Sequence, residues 1–139
     1  MISGLVPAAP GPVAAASARR RVETADGGFE IGIVIDAASH GSPLLLGLEW
    51  IQPGTEISSW TADAETHETY YVERGRLRVT WEGDATGEAV LDPTDCFYFP
   101  PGHTYSAENV GEEAVLVIWS LVPSPPPQAQ PEQTESESE

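Results

Sequence analysis

The sequence has no lysine, and all six of its basic side chains are arginines. A lysine aldimine, and with it covalent pyridoxal phosphate chemistry, is excluded on that ground alone. Cysteine is nearly missing too: Cys96 stands alone, so no internal disulfide can form and nothing calls for an oxidising compartment. No apolar run approaches the roughly 18–20 residues that span a bilayer. The longest, Pro43 to Ile51, is interrupted by Gly47 and Glu49. The N-terminus, MISGLVPAAPGPVAAASARRR, is rich in alanine, but Arg19, Arg20 and Arg21 follow its apolar stretch, the reverse of a secretory signal. A cytoplasmic protein is expected.

What is abundant is acid. Twenty-two aspartates and glutamates give a net charge of −16, which repels phosphate backbones and anionic lipid, so neither nucleic acid nor membrane is an expected partner. At 139 residues with 40% hydrophobic content, the chain has material for one domain and one core. Residues 1–21 read as a disordered N-terminal arm. Residues 123–139 (PSPPPQAQPEQTESESE) read as a disordered Pro/Glu-rich tail with no large apolar residue to bury.

Between these ends, short apolar stretches alternate with turn signals and no long 3.6-residue period occurs, which predicts an all-β sandwich or barrel over residues 22–122. The expected strands are Phe29 to Asp36, Leu44 to Ile51, Thr69 to Val72, Leu77 to Trp81, Glu88 to Leu91, Cys96 to Phe99, His103 to Glu108 and Ala114 to Leu121. Gly27-Gly28, Gly41-Ser42, Pro53-Gly54, Arg74-Gly75, Glu82-Gly83-Asp84 and Pro100-Pro101-Gly102 punctuate them.

Two segments carry a family resemblance. PGTEISSWTADAETHETYYVERGRLRV, Pro53 to Val79, is similar to the first cupin motif (G, five residues, H-x-H, three or four residues, E, six residues, G), with Glu68 and Gly75 at the spacing of its last two positions. Where its paired histidines belong, the chain has Thr61-Ala62-Asp63, or Ala62-Asp63-Ala64 with the shorter spacer. TDCFYFPPGHTYSAEN, Thr94 to Asn109, resembles the second motif (G, five residues, P-x-G, two residues, H, three residues, N): Pro100, Gly102 and Asn109 match, Thr94 replaces the glycine and Tyr105 the histidine. The resemblance implies a cupin jelly-roll barrel with a degenerate metal motif. SSWTADAETHETYYVERG resembles the ethanolamine-utilisation cupins, and Glu68 with Tyr105 resembles ectoine synthase, in which a glutamate, a tyrosine and a histidine hold a metal.

Strand alternation puts Glu68, Tyr70 and Val72 on one face and His67, Thr69 and Tyr71 on the other. By the resemblance, Glu68 faces the barrel interior, where a carboxylate must be paired, hydrogen-bonded or metal-bound, unless it sits at a wet barrel mouth. Tyr105 on the opposite strand is a metal ligand, a proton donor or core packing. His103 shares its face and is the nearest imidazole, or else an exposed turn residue. Asp63 is either a replacement oxygen ligand or a solvated loop acid. Glu68, Tyr105, His103 and Asp63 together would suit Fe(II), Mn(II) or Zn(II) weakly, with no metal at all as the alternative.

Trp60, Tyr70, Trp50 and His67 complete the expected pocket, His67 only if its strand begins after it. The tryptophans Trp50, Trp60, Trp81 and Trp119 suit a flat organic ligand or a dimer interface. Cys96 is expected to pack as a small buried hydrophobe and His40 to lie in a surface loop. Arg74, Arg76 and Arg78 form an anion stripe or a solvated face.

Three functions compete at this level: a lyase, isomerase or cyclase in which Glu68, Tyr105 and His103 hold a metal or act as acid and base; a non-catalytic ligand-binding or accessory barrel; and an interaction protein working through the PSPPP tail as a polyproline II ligand. By fold analogy, a homodimer holding a small organic ligand in the barrel is expected.

Overall fold

The computed structural model describes residues 8–124, so the proline-rich tail beyond residue 124 and its expected role lie outside the described residues. Ten strands and two short helical turns are present in that span: a 3-10 turn at Ala15–Ser17, then β1 (Arg19–Val22), β2 (Phe29–Ile35), α1 (Ala37–His40), β3 (Leu45–Ile51), β4 (Glu56–Thr61), β5 (His67–Arg74), β6 (Leu77–Gly83), β7 (Gly87–Leu91), β8 (Cys96–Phe99), β9 (His103–Asn109) and β10 (Val115–Val122). They form two antiparallel sheets, ordered β1-β2-β3-β10-β5-β8 and β4-β9-β6-β7. The inward faces of both enclose one core that includes Leu45, Ile51, Val72, Leu77, Val79, Phe99, Tyr105, Val115 and Val117. This is the all-β barrel that the strand pattern predicts and the jelly roll that the cupin resemblance implies, with the period-2 alternation sending one residue in two inward. No helix among the described residues is long and apolar enough to cross a membrane.

Two strands depart from the sequence reading. The arm was expected to lack structure through residue 21, yet Arg19 to Val22 pair in register with Glu30 to Ile33 as an edge strand. The cause is charge pairing with acids distant in sequence: Arg19 meets Asp36 at 2.5 Å, and Arg20 grips Glu30 with two nitrogens at 2.8 and 2.9 Å. β4 was also missed. A register shift between Ser58 and Trp60 breaks its alternation, so the inward residues Ile57 and Trp60 lie three apart and no period of two shows.

Backbone geometry explains two motif positions. Gly75 closes the β5–β6 turn at φ 91°, where a Cβ would fall 2.8 Å from the Val115 Cα. Thr94, standing where the second motif has glycine, keeps the left-handed geometry at φ 78°, and its N–H donates to the Val72 carbonyl at 2.8 Å. Asn109, buried, ties the opposite end together: its Nδ2 donates to Ile51 O at 2.8 Å and Glu113 O at 2.9 Å, and its Oδ1 accepts from Gly111 N at 2.8 Å.

Candidate functional site

Glu68 and the aromatic residues around it collect at one end of the barrel. That end is made by the start of β5, the close of β4 and β8, and the start of β9, so the two motif segments meet there as cross-strand neighbours. Glu68 is opposite Phe99, and Trp60 is opposite Tyr105. The rings pack on one another: Trp60 lies 5.7 Å from Phe99, 5.8 Å from Tyr105 and 6.2 Å from Tyr70, while Phe99 meets Tyr105 edge-on at 4.9 Å.

Glu68 enters this apolar setting with no hydrogen bond of ordinary distance and angle to any described residue. Burial pushes its carboxyl up to about 7, opposed by the nearby Trp60 indole N–H. That N–H is buried and faces the carboxyl outside ordinary hydrogen-bond geometry. Tyr105 is 1% exposed, and its hydroxyl donates to the Pro100 carbonyl. Burial and then the charge of Glu68 raise the phenol above its usual range.

His103 is on the Tyr105 face, with ring centroids 5.9 Å apart. Both its nitrogens are engaged, Nδ1 with the Pro101 carbonyl at 3.1 Å and Nε2 accepting from Ala85 N at 3.2 Å. Those partners fix the tautomer and leave no lone pair for a ligand.

A second interior carboxyl was not anticipated. Glu49, mid-strand in β3, is 8% exposed and accepts a hydrogen bond from the Tyr70 hydroxyl at 2.9 Å. Burial raises it to about 8, the Tyr70 bond opposes that rise, and the charges of Glu68 and Glu23 add to it. Tyr70 is raised well above its ordinary value, first by burial and then by Glu49 and Glu68. The signal was present in LLGLEWI, where parity with Leu45, Gly47 and Ile51 puts Glu49 inward, but no motif drew attention to it.

Several expected members lie elsewhere. Trp50 has the outward parity of β3 and sits under the Arg20 guanidinium, 3.6 Å from its ring centre, not in the pocket. β5 begins at His67, so that side chain faces out, with Nδ1 3.0 Å from the Tyr98 hydroxyl. Asp63 is a turn residue whose Oδ1 accepts from Glu65 N at 3.0 Å. Cys96 is exposed, since Phe97 and Phe99 take the inward parity of β8. His40 is the last residue of α1, its Nδ1 4.0 Å from an oxygen of the N-cap Asp36. Arg74, Arg76 and Arg78 pair with Glu73, Asp92 and Glu108 on the outer surface.

A divalent metal, which a cupin barrel implies, does not fit these residues. The expected donors Glu68, Tyr105, His103 and Asp63 do not converge with free atoms: one phenol and one imidazole are committed to backbone, and Asp63 is in an exposed turn. Ala62, inside the lost histidine pair, is buried and offers no donor. Among the described residues, no group of three histidine, cysteine, aspartate or glutamate side chains is placed to hold a metal ion.

Comparisons with known proteins agree with the topology. Solved structures of similar fold include the cupin domain of Cnp3 from Schizosaccharomyces pombe (TM-score 0.59, 18% identity, covering 69% of this chain and 65% of that one). KdgF from Halomonas sp. has a TM-score of 0.60 and 22% identity, with 74% and 86% covered. Oxalate decarboxylase from Bacillus subtilis has a TM-score of 0.59 and 22% identity, with 70% of this chain and 26% of that one covered. This chain thus spans a little under two thirds of the Cnp3 chain and about a quarter of oxalate decarboxylase. No curated protein matches the sequence. The profile of the cupin domain family matches residues 47–121, more than half of the chain and all of the barrel end just described. The chain belongs to the cupin family.

Proposed function

We propose that this cupin acts on a small organic molecule without a resident metal, in a reaction of the lyase, isomerase or cyclase type, with Glu68 as the group that moves the proton. The observation that carries this reading is the Glu68 carboxyl itself: largely buried beside aromatic rings, with the Trp60 indole N–H the donor that faces it, and shifted by burial to about 7. A general base is most effective when it titrates near working pH, because it is then both available and strong enough. Ionised Glu68 would take the proton from a carbon next to a carbonyl. The carboxylic acid so formed would return it to the neighbouring carbon in an isomerisation, or to the departing oxygen in an elimination.

Trp60, Phe99 and Tyr105 supply the apolar walls that keep water from competing. Tyr105 and His103, bonded to backbone, hold the rim and do not enter the chemistry. The composition suits a cytoplasmic setting. The outer face of the larger sheet, with Tyr71 36% and Tyr98 49% exposed, suits a homodimer; sedimentation at the monomer mass at micromolar concentration would remove that part.

The second reading is a non-catalytic ligand-binding barrel. It is favoured by the same commitment of Tyr105 and His103 to backbone partners, and a fold does not by itself imply catalysis.

The two are separated by incubating chelator-treated protein in D2O with a panel of keto sugars, uronates and 2-hydroxy acids. The acid–base reading expects deuterium incorporation into at least one compound, lost by at least a hundredfold in Glu68→Gln. Binding without exchange, equal in both proteins, supports the second reading instead.

A further inference from the structure

Glu49 has no place in the cupin motifs, yet it is the more deeply buried of the two interior carboxyls. Its flanking partners in the sheet, Ile31 on β2 and Val117 on β10, are apolar. The titratable groups facing it are Tyr70 and Glu68 from β5 and Glu23 from the β1–β2 turn, the last paired with Arg21 at 2.7 Å. Its one hydrogen bond comes from the Tyr70 hydroxyl at 2.9 Å.

Among the described residues, no cation pairs with it. Arg19 pairs with Asp36, Arg20 with Glu30, Arg21 with Glu23, Arg74 with Glu73, Arg76 with Asp92 and Arg78 with Glu108. An ionised carboxylate buried with a single neutral donor is expensive, whereas the protonated acid in the same place is not.

We propose that Glu49 is a positioning residue of the Glu68 site: a neutral carboxylic acid, anchored by Tyr70, that leaves Glu68 as the single charge-bearing carboxyl of the barrel interior at neutral pH. This rests on the reading of Glu68 given above and adds the group that keeps it available. Two acids sharing one low-dielectric interior do not ionise together; the better-solvated one goes first, and its charge holds the proton of the other more firmly. Glu68, open at the barrel end, loses its proton at about 7, and Glu49, behind Tyr70, at about 8. Separate environments thereby divide two identical side chains into a base and an acid that keeps its proton at neutral pH. Glu49 acts through Tyr70, whose ring stacks on Trp60 and so sets the wall beside Glu68.

The test is a carboxyl-carbon NMR titration of the full chain labelled at glutamate, in the wild type, Glu49→Gln and Tyr70→Phe. The wild type should show two late steps, one near neutrality and one above it. Glu49→Gln should remove the upper step and move the lower midpoint by less than about half a unit, because a neutral group has replaced a neutral group. Tyr70→Phe should move the upper step higher, since the lost hydrogen bond favoured the ionised form. A role in packing alone predicts no late upper step and no response to Tyr70→Phe.

The proposal is overturned if Glu49 titrates near the ordinary value of 4.5 in the wild type. It is also overturned if Glu49→Gln lowers the Glu68 midpoint by about a unit or more, the mark of a removed charge. The wild-type and Tyr70→Phe curves decide the matter even where Glu49→Gln does not fold. Deuterium exchange is a separate readout: its failure with both late steps intact would remove the acid–base function and leave the carboxyl pair standing.

Discussion

Trp60 and Tyr105 face each other across β4 and β9 with their rings 5.8 Å apart, closing the barrel end from which the imidazole pair of the first cupin motif is missing. An aromatic pair there takes the place of the donors that a metal needs. Protein purified without chelator should therefore carry well below one iron, manganese or zinc per chain by elemental analysis. A stoichiometric metal that survives gel filtration and is lost in Glu68→Gln would show that the site binds after all.

Thr94 is a β-branched residue held at φ 78°, where L side chains are strained. Thr94→Gly should raise stability by roughly 0.5–1 kcal/mol, relief of strain being partly offset by the greater freedom of the unfolded chain. Urea denaturation measures it. An unchanged or lower midpoint would mean that the Thr94 side chain contributes contacts worth more than the strain.

Asn109 stands at the other extreme, a buried side chain with three hydrogen bonds to backbone at 2.8–2.9 Å. Asn109→Ala leaves two carbonyls and an N–H unsatisfied and should cost about 2–4 kcal/mol. Since it acts at the end of the barrel away from Glu68, the folded fraction should keep the late-titrating Glu68 signal. Loss of that signal without loss of stability would contradict the assignment.

Stability should also depend on pH in a definite direction. Both interior carboxyls hold their protons in the folded chain to about 7 and about 8, whereas the unfolded chain releases them near 4.5. Their contribution is therefore fully present below about 4.5, is lost as pH rises through those two values, and is constant above them. The melting temperature should fall between about pH 5 and 8. Glu49 alone contributes a slope on the order of 1.4 kcal/mol per pH unit within that window, which Glu49→Gln should remove. A melting temperature that rises over this interval would contradict the placement of Glu49.

The barrel was legible because its strands alternate and its turns carry glycine and proline: β3, β5, β6 and β8 to β10 fall within a few residues of their expected bounds. β4 and β1 were not legible, one because a bulge at Ser59 hid its period and the other because its arginines find acids far along the chain. The site was only half legible. Motif spacing located Glu68 and Tyr105, and parity alone separates Tyr70 from Tyr71. What motifs could not tell is whether a donor is already used. The commitment of Tyr105 to Pro100, and of His103 to Pro101 and Ala85, exists only once β8 and β9 are folded. Glu49 was hidden for the opposite reason: an acid in an apolar strand reads as an interruption even where parity turns it inward, and its Tyr70 partner is visible only in the folded barrel.

The central claim, that Glu68 is poised to exchange a proton near neutrality inside a metal-free barrel, is tested most directly by its own titration. Carboxyl-carbon NMR of the metal-free wild type, with the signal assigned through Glu68→Gln, should give a midpoint near 7. A midpoint at the ordinary carboxylate value of 4.5 would contradict it.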